Sequence, residues 1–171
     1  MDLRNYIRDV PDFPEKGILF KDITPILKDQ AAFSFVVHSF MDRFADIAID
    51  KVVAVEARGF VFGAPLALLL NIGFVPIRKV GKLPGPTYLA EYSLEYGSRT
   101  RIEMHQGAIS PDDRVLIVDD VLATGGTMNA SIDLIRQSGA SVAGIGILIE
   151  IGKLQARERL KGFRIESLVN V

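Results

Sequence analysis

The amino-acid sequence predicts an α/β fold: a parallel, twisted sheet with helices on its faces. Short apolar runs typical of buried strands alternate with amphipathic stretches typical of helices along the 171 residues. About half of the residues are hydrophobic, which is enough for a substantial core. No internal repeat, low-complexity tract or linker interrupts the alternation, so the sequence predicts one domain over residues 1–171.

The first half of the chain supplies two helices and two strands of this pattern. Asp29 can cap a helix in which apolar residues recur at helical spacing over residues 33–44. Residues 52–55 are typical of a buried strand, residues 64–70 of a short helix, and residues 74–77 of a second strand. This order favours parallel strands joined by right-handed crossovers.

The second half continues the alternation after one interruption. Residues 88–94 and 99–105 alternate in polarity, which predicts an antiparallel hairpin with its turn at 95–98. The Gly- and Pro-rich residues 81–86 precede it, so the hairpin is predicted to be a flexible lid. A strand at 115–118, a helix from about 127 to 138 and a strand within 142–149 complete the pattern.

Composition excludes several classes of function. The net charge is −1, so the totals give no basic field for nucleic acid or for a membrane surface. Cysteine is absent and there are two histidines, which argues against thiol nucleophiles and against thiolate or histidine-rich metal sites. The first residues lack the apolar stretch of a signal peptide, and the longest apolar run is too short to cross a bilayer. We therefore expect a cytoplasmic location.

The most specific segment runs from Val115 to Thr127. Its apolar start predicts a buried strand that stops at two carboxylates, Asp119 and Asp120, before a Gly-Gly turn and a helix. Carboxylates accept hydrogen bonds from sugar hydroxyls, and a glycine-rich turn before a helix can wrap a phosphate. The predicted ligand is a ribose 5-phosphate, held at its phosphate by Ala123, Thr124, Gly125, Gly126 and Thr127.

This interpretation has one condition and one alternative. Both carboxylates reach one sugar only if the chain already turns at Asp120, since successive strand side chains point to opposite faces. The alternative is structural: the aspartates form a turn and Thr127 caps the helix. The segment has neither the Gly-Lys-Ser/Thr ending of a Walker loop nor a dinucleotide fingerprint.

Charged residues follow two other predicted strands. Arg58 could hold a diphosphate, because a guanidinium is always charged and suits oxyanions; alternatively it pairs with Glu56 or is solvated. Arg78, Lys79 and Lys82 form a second cationic group, either surface charge or phosphate ligands. For a catalytic carboxylate the residues alone leave Glu91, Glu95 and Glu103 equivalent.

The segment from Val115 to Thr127 resembles the 5-phosphoribosyl-1-pyrophosphate (PRPP) motif of the type I phosphoribosyltransferases. Further segments resemble the adenine phosphoribosyltransferases of that family, and they occur in the family's order over most of the chain. They are Phe13-Pro14, residues 17–25 (GILFKDITP), Arg58-Gly59-Phe60, residues 78–86 (RKVGKLPGP) and residues 92–97 (YSLEYG). Lys16, where the family often has proline, and Gln106-Gly107 after His105 depart from the pattern.

The resemblance implies roles for individual residues. It places Asp119 and Asp120 at the ribose hydroxyls and the loop 123–127 at the 5′-phosphate. It places Arg58 at the pyrophosphate, with Arg78, Lys79 and Lys82 on the flanking loop, and Glu95 near the base as the catalytic carboxylate. Residues 1–30 become a base-binding hood in which Leu19, Phe20 and Lys21 contact the adenine.

The resemblance also implies a reaction: transfer of phosphoribose from PRPP to adenine, giving AMP and pyrophosphate in purine salvage. Magnesium is expected on the diphosphate and ribose oxygens of the substrate rather than in a protein site, and the enzyme is expected to be a homodimer. Two other functions stay open. One is a phosphoribosyltransferase for a 6-oxopurine, a pyrimidine or orotate; the other is a regulator that binds PRPP without chemistry.

Overall fold

A central sheet of seven strands organises the fold of the computed structural model, which describes residues 1–93 and 99–171. Its strands are β3 (Lys51–Val55), β4 (Gly73–Lys79), β5 (Thr87–Ser93), β6 (Arg99–His105), β7 (Arg114–Leu122), β8 (Ser141–Glu150) and β9 (Ile165–Asn170). They lie in the order β5-β6-β4-β3-β7-β8-β9. The pairs among β4, β3, β7, β8 and β9 are parallel, whereas β6 is antiparallel to both β4 and β5.

Within residues 1–93 and 99–171, a small sheet and five α-helices surround this core. Near the N-terminus β1 (Arg8–Pro11) pairs antiparallel with β2 (Leu19–Asp22). The helices are α1 (Thr24–Lys28), α2 (Gln30–Arg43), α3 (Arg58–Leu69), α4 (Gly126–Gln137) and α5 (Ala156–Arg159), and single 3-10 turns lie at Leu3–Tyr6 and Gly152–Leu154. None of the described helices is long and apolar enough to span a membrane.

Apolar side chains form two layers, one on each face of the sheet. Helices α2 and α3 pack on one face, where Phe40, Phe44 and Phe62 are fully buried. Helix α4 packs on the other face with the inner side of the β5–β6 hairpin. Because both faces are covered, the central strands are nearly continuous apolar runs, which is why the sequence identified them.

The main strands and helices lie where the sequence predicted them, and so does the hairpin. Asp29 caps α2 by accepting a hydrogen bond from the backbone N–H of Ala32 at 2.9 Å. The strands of the hairpin pair over seven residues each, from Thr87 opposite His105 to Ser93 opposite Arg99. The predicted turn at residues 95–98 lies outside the described residues, and the flexibility of the hairpin stays a prediction.

Two predicted boundaries were wrong. Helix α3 begins at Arg58, six residues before the predicted start. Gly59 and Gly63 lie on the face of this helix that approaches the sheet, where a Cβ at Gly63 would lie 2.7 Å from the Ala54 Cβ. Close packing of this face outweighs the low helix propensity of glycine.

The second correction concerns β7. The strand does not stop at Asp119 but continues to Leu122, because Asp119, Val121 and Leu122 still pair with β8. The chain therefore does not turn at Asp120. Both carboxylates therefore lie within the strand. The loop between Leu122 and α4 is only three residues long.

Candidate active site

A cavity of about 500 Å³ opens at the carboxyl ends of β7 and β8. This is the edge at which parallel α/β sheets characteristically bind ligands. Its described lining includes residues of β2, the start of α3, the end of β7, the loop before α4 and the segment after β8. The charged side chains that line it are Asp119 and three cations, Lys21, Arg58 and Lys153, a balance that suits an anionic ligand.

The loop between β7 and α4 forms the floor of the cavity. All five predicted phosphate-loop residues line it: Ala123, Thr124, Gly125, Gly126 and Thr127. Gly125 has φ of +85°, in the left-handed region that favours glycine, and α4 begins at the next residue without a side-chain cap. The alternative role of Thr127 as helix cap is therefore wrong. The first N–H groups of α4 have no acceptor within the helix and are suited to bind an anion.

Asp119 and Asp120 are both buried but face different partners. Asp119 lines the cavity, whereas Asp120 does not and instead approaches Arg58. This separation follows from the extended strand, in which neighbouring side chains diverge. The structure therefore brings only one of the two carboxylates to the cavity. The Asp120 backbone N–H donates to Asp119 Oδ1 at 2.9 Å, which fixes the orientation of the Asp119 carboxylate.

Burial raises the pKa of Asp119 well above its ordinary value, and the charge of Asp120 raises it further. Burial also raises the pKa of Asp120, although the positive charge of Arg58 opposes that shift. The pair therefore holds a proton more tightly than free aspartates do. A ligand that donates hydrogen bonds or brings positive charge would stabilise the ionised form.

Arg58 approaches both Asp120 and the ring of Phe20. Its Nε lies 2.7 Å from Asp120 Oδ2, and its guanidinium carbon lies 4.7 Å from the centre of the Phe20 ring. No hydrogen bond forms across the close approach to Asp120. Arg58 Nη1 and Asp120 Oδ2 are buried polar atoms without a hydrogen-bond partner in the described part of the chain. Such atoms are costly unless a ligand satisfies them.

The second cationic group lies beside the cavity rather than in its lining. Arg78 Nε donates to Glu56 Oε2 at 2.7 Å, and Lys82 Nζ donates to Glu56 Oε1 at 2.6 Å. Burial alone would raise the pKa of Glu56, but the donors from Lys82 and Arg78 outweigh it and lower the pKa. Glu56 thus pairs with these two residues and not with Arg58. Lys79 is the exposed last residue of β4.

The predicted base-binding residues Leu19, Phe20 and Lys21 lie on β2 and line the cavity. The Phe20 ring contacts Phe13 edge to face, with 5.1 Å between centroids, so one part of its surface is already packed. Lys21 Nζ donates to Asp9 Oδ1 at 2.7 Å across the small sheet. The Lys21 ammonium is therefore held by β1.

Of the three candidate carboxylates, Glu95 lies outside the described residues. Glu91 pairs with Arg99 at 3.4 Å on the face of β5 opposite to Tyr92, which lines the cavity. Glu103 is 4 % exposed and accepts hydrogen bonds from the backbone N–H groups of Lys82 and Leu83, both at 2.9 Å. Glu103 therefore holds the loop before the hairpin in place.

Sequence reasoning missed one wall of the cavity. It consists of residues that follow β8, together with the C-terminal residue: Ile151, Lys153, Leu154 and Val171. The rule that pointed to Arg58 and Asp119, that ligands lie beyond the carboxyl ends of parallel strands, applies equally to β8 and would have found the first three. Val171 follows β9, a strand the sequence did not predict.

Comparison with known proteins agrees with this geometry. The family profile of the phosphoribosyl transferase domain matches residues 24–169. A curated relative, the adenine phosphoribosyltransferase of Halothermothrix orenii, is 51% identical over 169 residues, 99% of each chain.

Two solved structures extend the comparison. The adenine phosphoribosyltransferase of Thermoanaerobacter pseudethanolicus superposes with a TM-score of 0.96 at 48% identity, covering 99% of this chain and 98% of that one. The Saccharomyces cerevisiae enzyme, solved with an iminoaltritol bisphosphate and adenine, superposes with a TM-score of 0.91 at 37% identity, covering 98% and 96%. The chain belongs to the phosphoribosyltransferase family, and within it to the adenine phosphoribosyltransferases.

Proposed function

We propose that this protein transfers phosphoribose from PRPP to adenine, giving AMP and pyrophosphate. One observation carries the proposal: the loop before α4, the carboxylate of Asp119 and the aromatic ring of Phe20 line the same cavity. A nucleoside monophosphate needs these three elements, in one pocket, for its phosphate, its sugar and its base. The yeast relative was solved with adenine, which favours adenine over other bases here.

The phosphate and sugar ends of PRPP account for the floor of the cavity. The N–H groups at the start of α4 would receive the 5′-phosphate, and Thr124 and Thr127 can add hydroxyl donors. Asp119 would accept hydrogen bonds from the ribose hydroxyls. Asp120, which does not line the cavity, would hold Arg58 until the diphosphate binds.

The diphosphate end of PRPP would explain why cationic side chains lie in and beside the cavity. In the reaction the C1′–O bond to pyrophosphate breaks, and the departing oxygen keeps the bonding electron pair. We assign Arg58 to the stabilisation of that charge, together with Arg78 and Lys79 at the end of β4, which is not the loop that the sequence predicted for them, and Lys82 on the loop that follows. Their ion pairs with Asp120 and Glu56 hold Arg58, Arg78 and Lys82 near the site until the substrate replaces the carboxylates.

Attack of adenine on C1′ completes the transfer of phosphoribose. Adenine N9 forms the new bond to C1′ and loses its proton, and Phe20 with the backbone of β2 would hold the ring in place. We assign Glu95 to the proton exchange with the base. Closure of the β5–β6 hairpin would keep water from C1′.

The residues present fit a magnesium ion that the substrate brings. No group of three or more metal-ligating side chains occurs in the described residues, but Mg²⁺ needs only one or two carboxylates when phosphates supply other oxygens. Asp119 is the carboxylate among the described cavity-lining side chains, so it could share such an ion with the diphosphate and ribose oxygens, whereas Asp120 is paired with Arg58. The ion would act as a Lewis acid on the diphosphate oxygens.

The proposal includes the organisation of the protein. Residues 1–171 would act as one domain, with residues 1–30 as the base-binding hood. We expect a homodimer in the cytoplasm. Size-exclusion chromatography with light scattering tests the dimer, because a mass near the 18.8 kDa of one chain would contradict it.

A base panel tests the reaction. Pyrophosphate release is measured with PRPP, Mg²⁺ and either adenine, hypoxanthine, guanine, uracil or orotate. We expect release with adenine at a rate at least 100-fold above that with any other base. Faster release with another base would assign a different phosphoribosyltransferase, and PRPP binding without release would assign a regulator.

A further inference from the structure

An ion pair with a buried carboxylate holds the wall of the cavity beyond β8. Glu150, the last residue of β8, is 5 % exposed. Arg157 of α5 reaches back to it with two parallel hydrogen bonds, Nε to Oε1 and Nη2 to Oε2, both 2.8 Å long. A bidentate pair of this kind fixes orientation as well as distance.

Strand β9 strengthens this pair. Ser167 Oγ donates to Glu150 Oε2, and Arg157 Nη1 donates to the Ile165 carbonyl. The donors from Arg157 lower the pKa of Glu150 despite its burial, so the carboxylate stays ionised at neutral pH. The contact therefore joins three elements: the end of β8, helix α5 and strand β9.

The segment between the two partners forms part of the site. Ile151, Lys153 and Leu154 line the cavity, and Ala156 lies against Gly125 of the phosphate loop, where a Cβ on Gly125 would be 3.5 Å from the Ala156 Cβ. The secondary structure here is a 3-10 turn and a four-residue helix, too short to be stable alone.

The backbone conformation of Gln155 also indicates that contacts with residues outside the segment hold it in place. Gln155, between Leu154 and Ala156, has φ of +52°, in the left-handed region that is unfavourable for a residue with a Cβ. A strained conformation persists when surrounding contacts impose it. Arg157, two residues later, ties the end of the segment to Glu150 through two charged hydrogen bonds.

We propose that Arg157 is a positioning residue for the base: through Glu150 it holds the apolar wall of Ile151 and Leu154 at the distance that adenine requires. The inference rests on the proposed function. Adenine should depend on the wall more than PRPP does, because a flat heterocycle is held by packing against apolar side chains. The phosphate loop also touches this segment, at Ala156, but β7 and α4 anchor the loop on both sides.

Steady-state kinetics of Arg157→Gln test the proposal. Glutamine cannot make both hydrogen bonds to Glu150, so the wall is released without adding bulk. We expect KM for adenine to rise about tenfold, while KM for PRPP changes less than threefold and kcat less than threefold. Arg157→Lys, which can restore one contact, should give an intermediate KM for adenine.

Arg164→Gln is the matched control. Arg164 Nη1 donates to both oxygens of Asp46 at 2.8 Å, and Arg164 does not line the cavity. Both glutamine variants lose an arginine–carboxylate pair, but only Arg157→Gln should raise the KM for adenine. An adenine KM within twofold of wild type in Arg157→Gln and Arg157→Lys, equal increases in both KM values, or the same change in Arg164→Gln would each overturn the proposal.

Hydrogen–deuterium exchange separates this proposal from the proposed function. Exchange at residues 152–156 should be at least tenfold faster in Arg157→Gln than in wild type and unchanged in Arg164→Gln. Exchange that is unchanged in Arg157→Gln refutes the positioning role, even if the wild type forms AMP. Failure of the wild type to form AMP would refute the proposed function, whatever the exchange shows.

Discussion

Gly59 offers a way to move Asp119 without replacing it. This residue lies in the first turn of α3, and a Cβ added to it would lie 2.9 Å from Asp119 Oδ1 and 3.0 Å from the Val118 carbonyl oxygen. Both distances are shorter than ordinary carbon–oxygen contacts. In Gly59→Ala the Asp119 side chain has to shift, so the carboxylate proposed to bind the ribose loses its position.

The expected magnitude follows from the interaction that is lost. A hydrogen bond to a charged group contributes about 1.5–3 kcal/mol, and 1.4 kcal/mol corresponds to a factor of ten. Misplacing Asp119 should therefore lower kcat/KM for PRPP by roughly ten- to a hundredfold. The effect on KM for adenine should be less than threefold, because Phe20 and the rest of β2 are not displaced.

Gly63→Ala provides a control in the same helix. The added Cβ would lie 2.7 Å from the Ala54 Cβ, inside the core and away from the cavity lining. Overpacking costs about 1–3 kcal/mol, and alanine recovers about 1 kcal/mol of helix propensity. The net effect is a melting temperature lower by roughly 0–8 °C.

The assay measures initial rates of AMP formation with PRPP varied at saturating adenine, beside melting curves of both variants. We expect Gly63→Ala to keep kcat/KM for PRPP within threefold of wild type. If Gly59→Ala also keeps it, or if Gly63→Ala loses as much, the assignment of Asp119 to the ribose is refuted.

Three further predictions concern other parts of the chain. Glu95→Gln should lower kcat by on the order of 10² to 10⁴ with little change in calorimetric PRPP affinity; near wild-type kcat would remove Glu95 from the mechanism. Gly126→Val should raise KM for PRPP much more than KM for adenine, because a side chain there blocks the approach of phosphate to the N–H groups of α4, and equal increases would argue against a phosphate cradle. Hydrogen bonds from Arg114 lower the pKa of Asp50 from 3.8 to about 2, so the stability from this pair is complete above pH 3.8 and lost as the pH falls towards 2. The free energy of unfolding, measured with denaturant at pH 2–5, should therefore depend less steeply on pH in Asp50→Asn than in wild type. Parallel curves for the two proteins would refute the contribution of the Asp50–Arg114 pair.

The parts of the fold that sequence predicted well are those whose information is local. The strand, turn and helix of residues 115–127 form one contiguous segment, and each part has its own chemical signature. The alternation of residues 88–93 likewise marks a strand of the hairpin. Conversely, the start of α3 was misjudged because Gly59 and Gly63 lower helix propensity locally, and their favourable contacts come from residues of the sheet.

The parts that sequence missed depend on contacts between distant residues. Nothing near Arg58 indicates that it approaches Asp120, which lies 62 positions later in the chain. The continuation of β7 past Asp119 depends on pairing with β8, and the short strand β9 depends on the same neighbour. The wall of Ile151 and Leu154 follows from that arrangement, so its role became visible only with the structure.

The most direct test of the central claim is conversion of radiolabelled adenine to AMP by the wild type and by Asp119→Asn/Asp120→Asn, each with saturating PRPP and Mg²⁺. Both substitutions keep the size of the side chain, so the melting temperatures should agree within a few degrees. We expect the wild type to form AMP and the double variant to do so at least 100-fold more slowly. Absence of AMP with the wild type, or equal rates for the two proteins, would contradict the account.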